Sequence, residues 1–264
     1  FRRVLFRSFN FHFRQWCFFL FHIIQFVLQQ FFEMHFHFFC NGRINLTTVA
    51  GAIDVAAAAR IVRRRGTLMY EQGVARPGAM AAILGVLTAS IDDICVQASA
   101  ERGLVVPANY NSEEQVVISG EVAGVERAME LAKEAGAKRC LPLPVSGAFH
   151  SPLMEPAVAG LRDALQAEAW SDPRVPVVAN VNAAAVTSAS VAADLLVQQL
   201  TAPVQWTRVS RLLVEQYPDA TFVEIGSGAV LTGLLRRLAP SVKTLSCGTV
   251  AEVEKLLVLA GGAA

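Results

Sequence analysis

Between Gly78 and Pro144 the chain reads strand, helix, strand, strand, helix, strand, and no other feature limits its fold so tightly. Ala79 to Leu87 is a short apolar run of strand type, and Ser90 to Arg102 carries the helical pattern behind it. Val105 to Tyr110 and Gln115 to Ser119 are strands joined by the turn Asn111-Ser112-Glu113-Glu114. Val122 to Ala135 is an amphipathic helix stopped by Gly136, and Lys138 to Leu143 closes the pattern. The βαββαβ order is that of the ferredoxin-like split βαβ arrangement, so residues 78–144 are expected to form a small inserted subdomain.

On either side the pattern is α/β. Asp54 caps a helix running to about Gln72, and a helix follows His150 to about Trp170. A strand at Val175 to Val181 precedes helices at Ala192 to Leu200 and Val204 to Gln216. The strand Thr221 to Ile225, the helix Ala229 to Leu238, the strand Lys243 to Cys247 and a helix from Val250 complete the chain. Alternating strands and helices predict a mostly parallel, doubly covered sheet, in a large subdomain built from residues 47–77 and 145–264. Its first strands would have to come from sequence this chain does not carry.

Residues 1–46 belong to a different composition. Of the 16 Phe, all but Phe149 and Phe222 precede residue 40, every Pro lies at or beyond Pro77, and the first Ala is Ala50. One folded domain is not expected to sort its residues this way. The apolar run Cys17 to Leu28 is interrupted by His22 and Gln25, has no small-residue cleavage site behind it and is too short for a membrane anchor. Arg2-Arg3-Val4-Leu5-Phe6-Arg7-Ser8 is one translation of AGACGTGTGCTCTTCCGATCT, a common sequencing-adapter strand. A non-native head over residues 1–46 is therefore expected. The net charge of +1 argues against a nucleic-acid partner.

The chemistry concentrates at Leu143 to Met154. His150 is the only histidine beyond residue 40, and it follows an apolar run, Cys140 to Val145, and a Ser-Gly-Ala turn. Ser151 and Pro152 stand as N-cap and first residue of a helix, which places His150 at a strand-to-helix junction. That position suits a general base, and such a base needs a nucleophile and a group that orients its second ring nitrogen. Ser227, in Glu224-Ile225-Gly226-Ser227-Gly228, lacks the G-x-S-x-G spacing of a nucleophile elbow, so a tight turn is favoured there. Arg65 falls on the apolar stripe Val55, Ala58, Ala59, Val62, Gly66 and Met69. Burying a guanidinium is costly unless an anion meets it, and spacing alone balances that reading against a snorkelling side chain. Cys95, Cys140 and Cys247 form no C-x-x-C pair and read as reduced thiols of a cytosolic protein, with neither a zinc site nor a disulfide.

Arg65-Gly66, Pro107 to Gly120, Leu141 to Met154, Pro203-Val204-Gln205-Trp206 and Glu224 to Leu234, in this order and spacing, resemble the malonyl-CoA:acyl carrier protein transacylases of bacterial fatty-acid synthesis. The resemblance covers Thr47 to Leu257 and implies an α/β-hydrolase-like large subdomain with a ferredoxin-like insert. It implies a ping-pong reaction in which a serine takes malonyl from CoA and yields it to the phosphopantetheine thiol of acyl carrier protein. His150 would be the base, the backbone carbonyl of Gln205 its orienter, and Arg65 the fork that grips the malonyl carboxylate. Asn111 would line the cleft, and Phe149 would favour malonyl over bulkier branched units. No cofactor or metal is implied beyond the two substrates, malonyl-CoA and phosphopantetheinylated acyl carrier protein. The implied protein is a cytoplasmic monomer whose partners are acyl carrier protein and a CoA thioester, with no membrane or nucleic acid.

The sequence departs from that family twice. Ser227 stands where the turn usually has proline, and the G-H-S-x-G elbow with the earlier Gly/Gln-rich loop is absent. The family spacing counted back from Gly51 lands on Cys40, behind Phe38 and Phe39 where Gly-His should be. The chain as written is expected to lack its nucleophile and to be inactive. Two other readings compete: an acyltransferase module of a polyketide synthase, and a non-catalytic remnant that binds carrier protein or CoA. The second would use Arg63, Arg64, Arg208, Arg211, Arg236 and Arg237.

Overall fold

The computed structural model of the chain describes residues 47, 48, 50–145, 147–226 and 228–261. The head, Cys40, Ser146 and Ser227 lie outside the described residues.

Helix α1, Val55–Ala75, starts at Asp54, whose side chain accepts from the Ala57 amide at 2.9 Å. Its buried face runs through Ala57, Ala58, Ile61, Val62, Arg65, Leu68, Met69 and Gly73. That face is rotated slightly from the expected stripe: Ile61 and Leu68 go inside, Val55, Ala59 and Gly66 do not, and Arg65 sits mid-face.

The next elements are β1 (Ala79–Leu84), α2 (Ile91–Arg102), β2 (Val105–Ser112), β3 (Gln115–Gly120), α3 (Val122–Glu134) and β4 (Arg139–Pro142). The strands form one antiparallel sheet in the order β2-β3-β1-β4, as a split βαβ arrangement requires. Register fixes which face each residue serves. Ala81 pairs with Ile118, and both pack under α2 and α3 with Ile94, Ala98 and Ala128. Ala82 pairs with Val117, and both join the opposite cluster, which holds Ile61, Val62 and Leu68 of α1 and Leu161 beyond it. The sheet thus stands between two cores. β2 is irregular between Pro107 and Asn109 and again between Tyr110 and Ser112, a bulged stretch that turns extra side chains inward.

Two expectations past His150 are corrected. The single helix to Trp170 is instead a 3-10 turn, Pro152–Ala157, followed by α4, Val158–Gln166. Pro156, within the turn, has no amide to give an α-helical ladder. The strand Val175 to Val181 shrinks to β5, Val177–Val178, which pairs with β6, Ala185–Val186. Then come α5 (Ala189–Gln198), α6 (Trp206–Gln216), β7 (Thr221–Ile225), α7 (Val230–Leu238), β8 (Lys243–Cys247) and α8 (Val250–Gly261). β7 and β8 pair in parallel, Thr221 with Lys243 through Ile225 with Cys247. Among the described residues this is the extent of the expected parallel sheet. The Glu224 carboxylate caps α7, accepting from the Leu231 amide at 3.1 Å and the Thr232 amide at 2.8 Å. No described helix is long and apolar enough to cross a membrane.

Candidate active site

His150 is seated from both sides. The Ser151 hydroxyl donates to the Ala148 carbonyl at 2.6 Å and receives the Leu153 amide, so the serine caps the 3-10 turn and ties the loop to it. On the sheet side, Gly78 meets Ala148. A Cβ at position 78 would lie 2.6 Å from the Ala148 Cβ and 2.9 Å from the Gly120 carbonyl oxygen. His150 itself is 3% exposed and has φ of 57°, a left-handed conformation that a non-glycine residue keeps only when its surroundings impose it.

The tight seat yields a prediction. Gly78→Ala must push against backbone, and is expected to cost about 1–3 kcal/mol, read as a lower urea midpoint. Gly233→Ala is the control: it lies in α7 with nothing within 4 Å of the added Cβ, and is expected to gain about 0.5–1 kcal/mol. Equal midpoints for the two variants would show that the loop is not held as described.

The orienting carbonyl belongs to Gln199, not to Gln205. Nδ1 of His150 lies 2.8 Å from the Gln199 carbonyl oxygen. A carbonyl only accepts, so Nδ1 carries the proton, and in the neutral ring the lone pair is left on Nε2. The correction has a physical reason. Gln205 is the N-cap of α6, and its carbonyl already accepts the Val209 amide at 3.0 Å, the first bond of that helix. Gln199 is the C-cap of α5, where carbonyls have no later amide to meet and carry the negative end of the helix dipole. Helix boundaries alone could have separated the two glutamines.

Arg65 is 6% exposed, which removes the snorkelling alternative, and its Nη2 has no hydrogen-bond partner among the described residues. Arg63 and Arg64 are exposed, and Arg60 forms a two-pronged pair with Glu168 at 2.6 Å in each prong. Asn111 is 4% exposed, and its Oδ1 is likewise without a partner among the described residues. Sequence reasoning missed two neighbours of the same kind, Asn109 Nδ2 and Ser119 Oγ. By register Asn109 opposes Val117 and Ser119 opposes Met80, so both stand on the sheet face turned towards α1. Buried polar atoms on that face that are unmatched among the described residues, with a guanidinium on the helix opposite, fit a polar, anionic ligand. Phe149 is placed in the apolar cluster with Ile61, Val62 and Met154, its ring folded back over Gly147.

Among the described residues, the three cysteines offer no activated thiol. Burial pushes the Cys95 thiol up to about 12, and burial also raises Cys140 and Cys247. No group of three or more His, Cys, Asp or Glu side chains among the described residues could hold a metal ion. Two of the six arginines named for carrier binding are already engaged: Arg211 pairs with Glu113, and Arg236 donates to the Thr244 hydroxyl at 2.6 Å.

Residues 42–255 match the acyl transferase domain family. The malonyl CoA-acyl carrier protein transacylase of Bacillus subtilis is 41% identical over 214 residues, covering 81% of this chain and 67% of that protein. The Escherichia coli K12 protein of the same name is 44% identical over 211 residues, covering 80% of this chain and 67% of that protein. The crystal structure of an acyl carrier protein S-malonyltransferase from Vibrio cholerae superposes with a TM-score of 0.76 at 39% identity, covering 81% of this chain and 70% of that one. A malonyl-transacylase in complex with a type II polyketide synthase acyl carrier protein also superposes with a TM-score of 0.76 at 39% identity, covering 81% and 69%. A chain matched this far by family, sequence and fold is a member of the acyl transferase domain family.

Proposed function

We propose that the protein is an acyltransferase that moves a malonyl group from malonyl-CoA to the phosphopantetheine thiol of acyl carrier protein. The observation that carries the reading is a buried imidazole whose Nδ1–H is fixed on a helix C-cap carbonyl, with a buried guanidinium whose Nη2 is unmatched among the described residues. In this reading Nε2 of His150 takes the proton of a serine hydroxyl as that oxygen attacks the malonyl thioester. The imidazolium returns the proton to the departing CoA sulfur, leaving malonyl-serine. The carrier thiol then attacks that ester, with His150 again taking and returning the proton. Arg65 receives the malonyl carboxylate, and Asn111 and Phe149 shape the cleft. The reaction needs no resident cofactor, because the substrates bring both the thioester and the thiol. A monomer working in the cytoplasm beside its CoA substrate fits this chemistry.

The serine position of the family falls in residues 1–46. The chain as written is therefore expected to give no transfer of labelled malonyl from CoA to phosphopantetheinylated carrier. The same chain with residues 1–46 replaced by the family's elbow-bearing sequence is expected to give transfer. Silence in the repaired chain would sink the proposal, and transfer by the original would refute the missing nucleophile. The relative bound to a polyketide carrier favours a second carrier class. Assaying the repaired chain with fatty-acid and polyketide carriers side by side decides which is preferred.

A further inference from the structure

The geometry points to the side-chain amide of Gln199 as a positioning residue that locks the His150 orienter to strand β2. The inference rests on the reading of His150 as the base.

A C-cap carbonyl is a weak place from which to hold an imidazole, because the last turn of a helix frays. Here α5 has only ten residues. The turn behind it, however, is doubly fastened. Gln199 is 5% exposed, and its Nε2 donates to the Ala202 carbonyl at 2.8 Å, closing that turn directly after the C-cap. The turn is then spliced into the four-stranded sheet. The Val204 amide donates to the Ala108 carbonyl at 2.8 Å, and the Tyr110 amide donates to the Val204 carbonyl at 2.9 Å. Val204 thus forms a parallel bridge with Asn109 at the outer edge of β2. The Thr207 hydroxyl adds a bond to the Tyr110 carbonyl at 3.0 Å.

The same amide also touches the base. Gln199 Nε2 lies 3.3 Å from His150 Nδ1. Both nitrogens are committed as donors to carbonyls, so this contact is a steric seat against the ring and not a second hydrogen bond. One side chain therefore sets the turn, backs the imidazole and keeps the carbonyl aimed at Nδ1. Its anchor is the strand that carries Asn109 and Asn111. Anything that draws on those two side chains is felt at His150 through one bridge and one turn.

The test reads the ring without substrate. In the 15N-labelled full chain, long-range 1H–15N spectra report which nitrogen of His150 bears the proton, with the signal identified by its loss in His150→Gln. A single Nδ1–H form is expected. Gln199→Leu keeps the peptide carbonyl and removes the amide. It is expected to raise the Nε2–H form and to speed hydrogen exchange at the Val204 and Tyr110 amides about fivefold, the loss of one net hydrogen bond, with α3 amides unchanged. An unchanged tautomer in a folded Gln199→Leu chain overturns the inference. If the leucine variant does not fold, Gln199→Met gives the same reading with a more adaptable chain. Because neither measurement involves transfer, a failed malonyl assay and a failed clamp remain separate results.

Discussion

His150→Ala, made in a chain that carries the family's serine elbow, is expected to lower malonyl transfer by about 10²–10⁴-fold, the usual worth of a positioned general base. The size follows from how fully the ring is prepared. The ring is buried, its Nδ1–H is fixed on the Gln199 carbonyl, and its left-handed backbone is imposed by the loop. Loss should appear in the rate constant of malonyl-enzyme formation more than in KM, because the ring is not placed to grip the substrate. Single-turnover kinetics with labelled malonyl-CoA make the measurement. A fall of less than about tenfold would mean that another group removes the proton.

Arg65→Ala is expected to cut malonyl transfer by about 10²–10³-fold while acetyl transfer holds or rises, since only malonyl brings a free carboxylate. A forked guanidinium supplies two charge-assisted bonds of about 1.5–3 kcal/mol each, and most of that pair is lost with the side chain. Arg65→Lys should fall in between, because it keeps the charge and loses the fork. Stability separates this from simple damage. An inward guanidinium whose Nη2 has no partner among the described residues is costly to bury, so removing it should leave the unfolding midpoint unchanged or higher. Equal losses for malonyl and acetyl would reject the carboxylate role.

The fold was legible where pattern and register agree. The βαββαβ order, the Asp54 cap and the two C-terminal strands all follow from local signals that tertiary packing did not override. Legibility failed at Pro156, where one missing amide changed a helix into a 3-10 turn, and at Val175 to Val181, where an apolar run found a partner for only two residues. At the site, His150 and Arg65 could be singled out from the sequence because their chemistry is in the side chain, and Asn111 entered through the family resemblance. Gln199 could not be, because its part is played by a peptide carbonyl, whereas Gln205 stands in the conspicuous Pro-Val-Gln-Trp motif nearby. Asn109 was hidden by the irregularity of β2, which puts it inward only once the bulges are known, whereas Ser119 shares the inward face of Val117 by plain alternation in β3.

The Gln199 carbonyl also matters for anyone building a library of this enzyme. The group that aims the base is not encoded by any codon, since every amino acid at that position supplies a carbonyl. A saturation scan will therefore score residue 199 on its amide alone and will pass over the oxygen. Replacing the Gln199–Leu200 amide by an ester, through unnatural amino-acid incorporation, weakens that acceptor while leaving the side chain untouched.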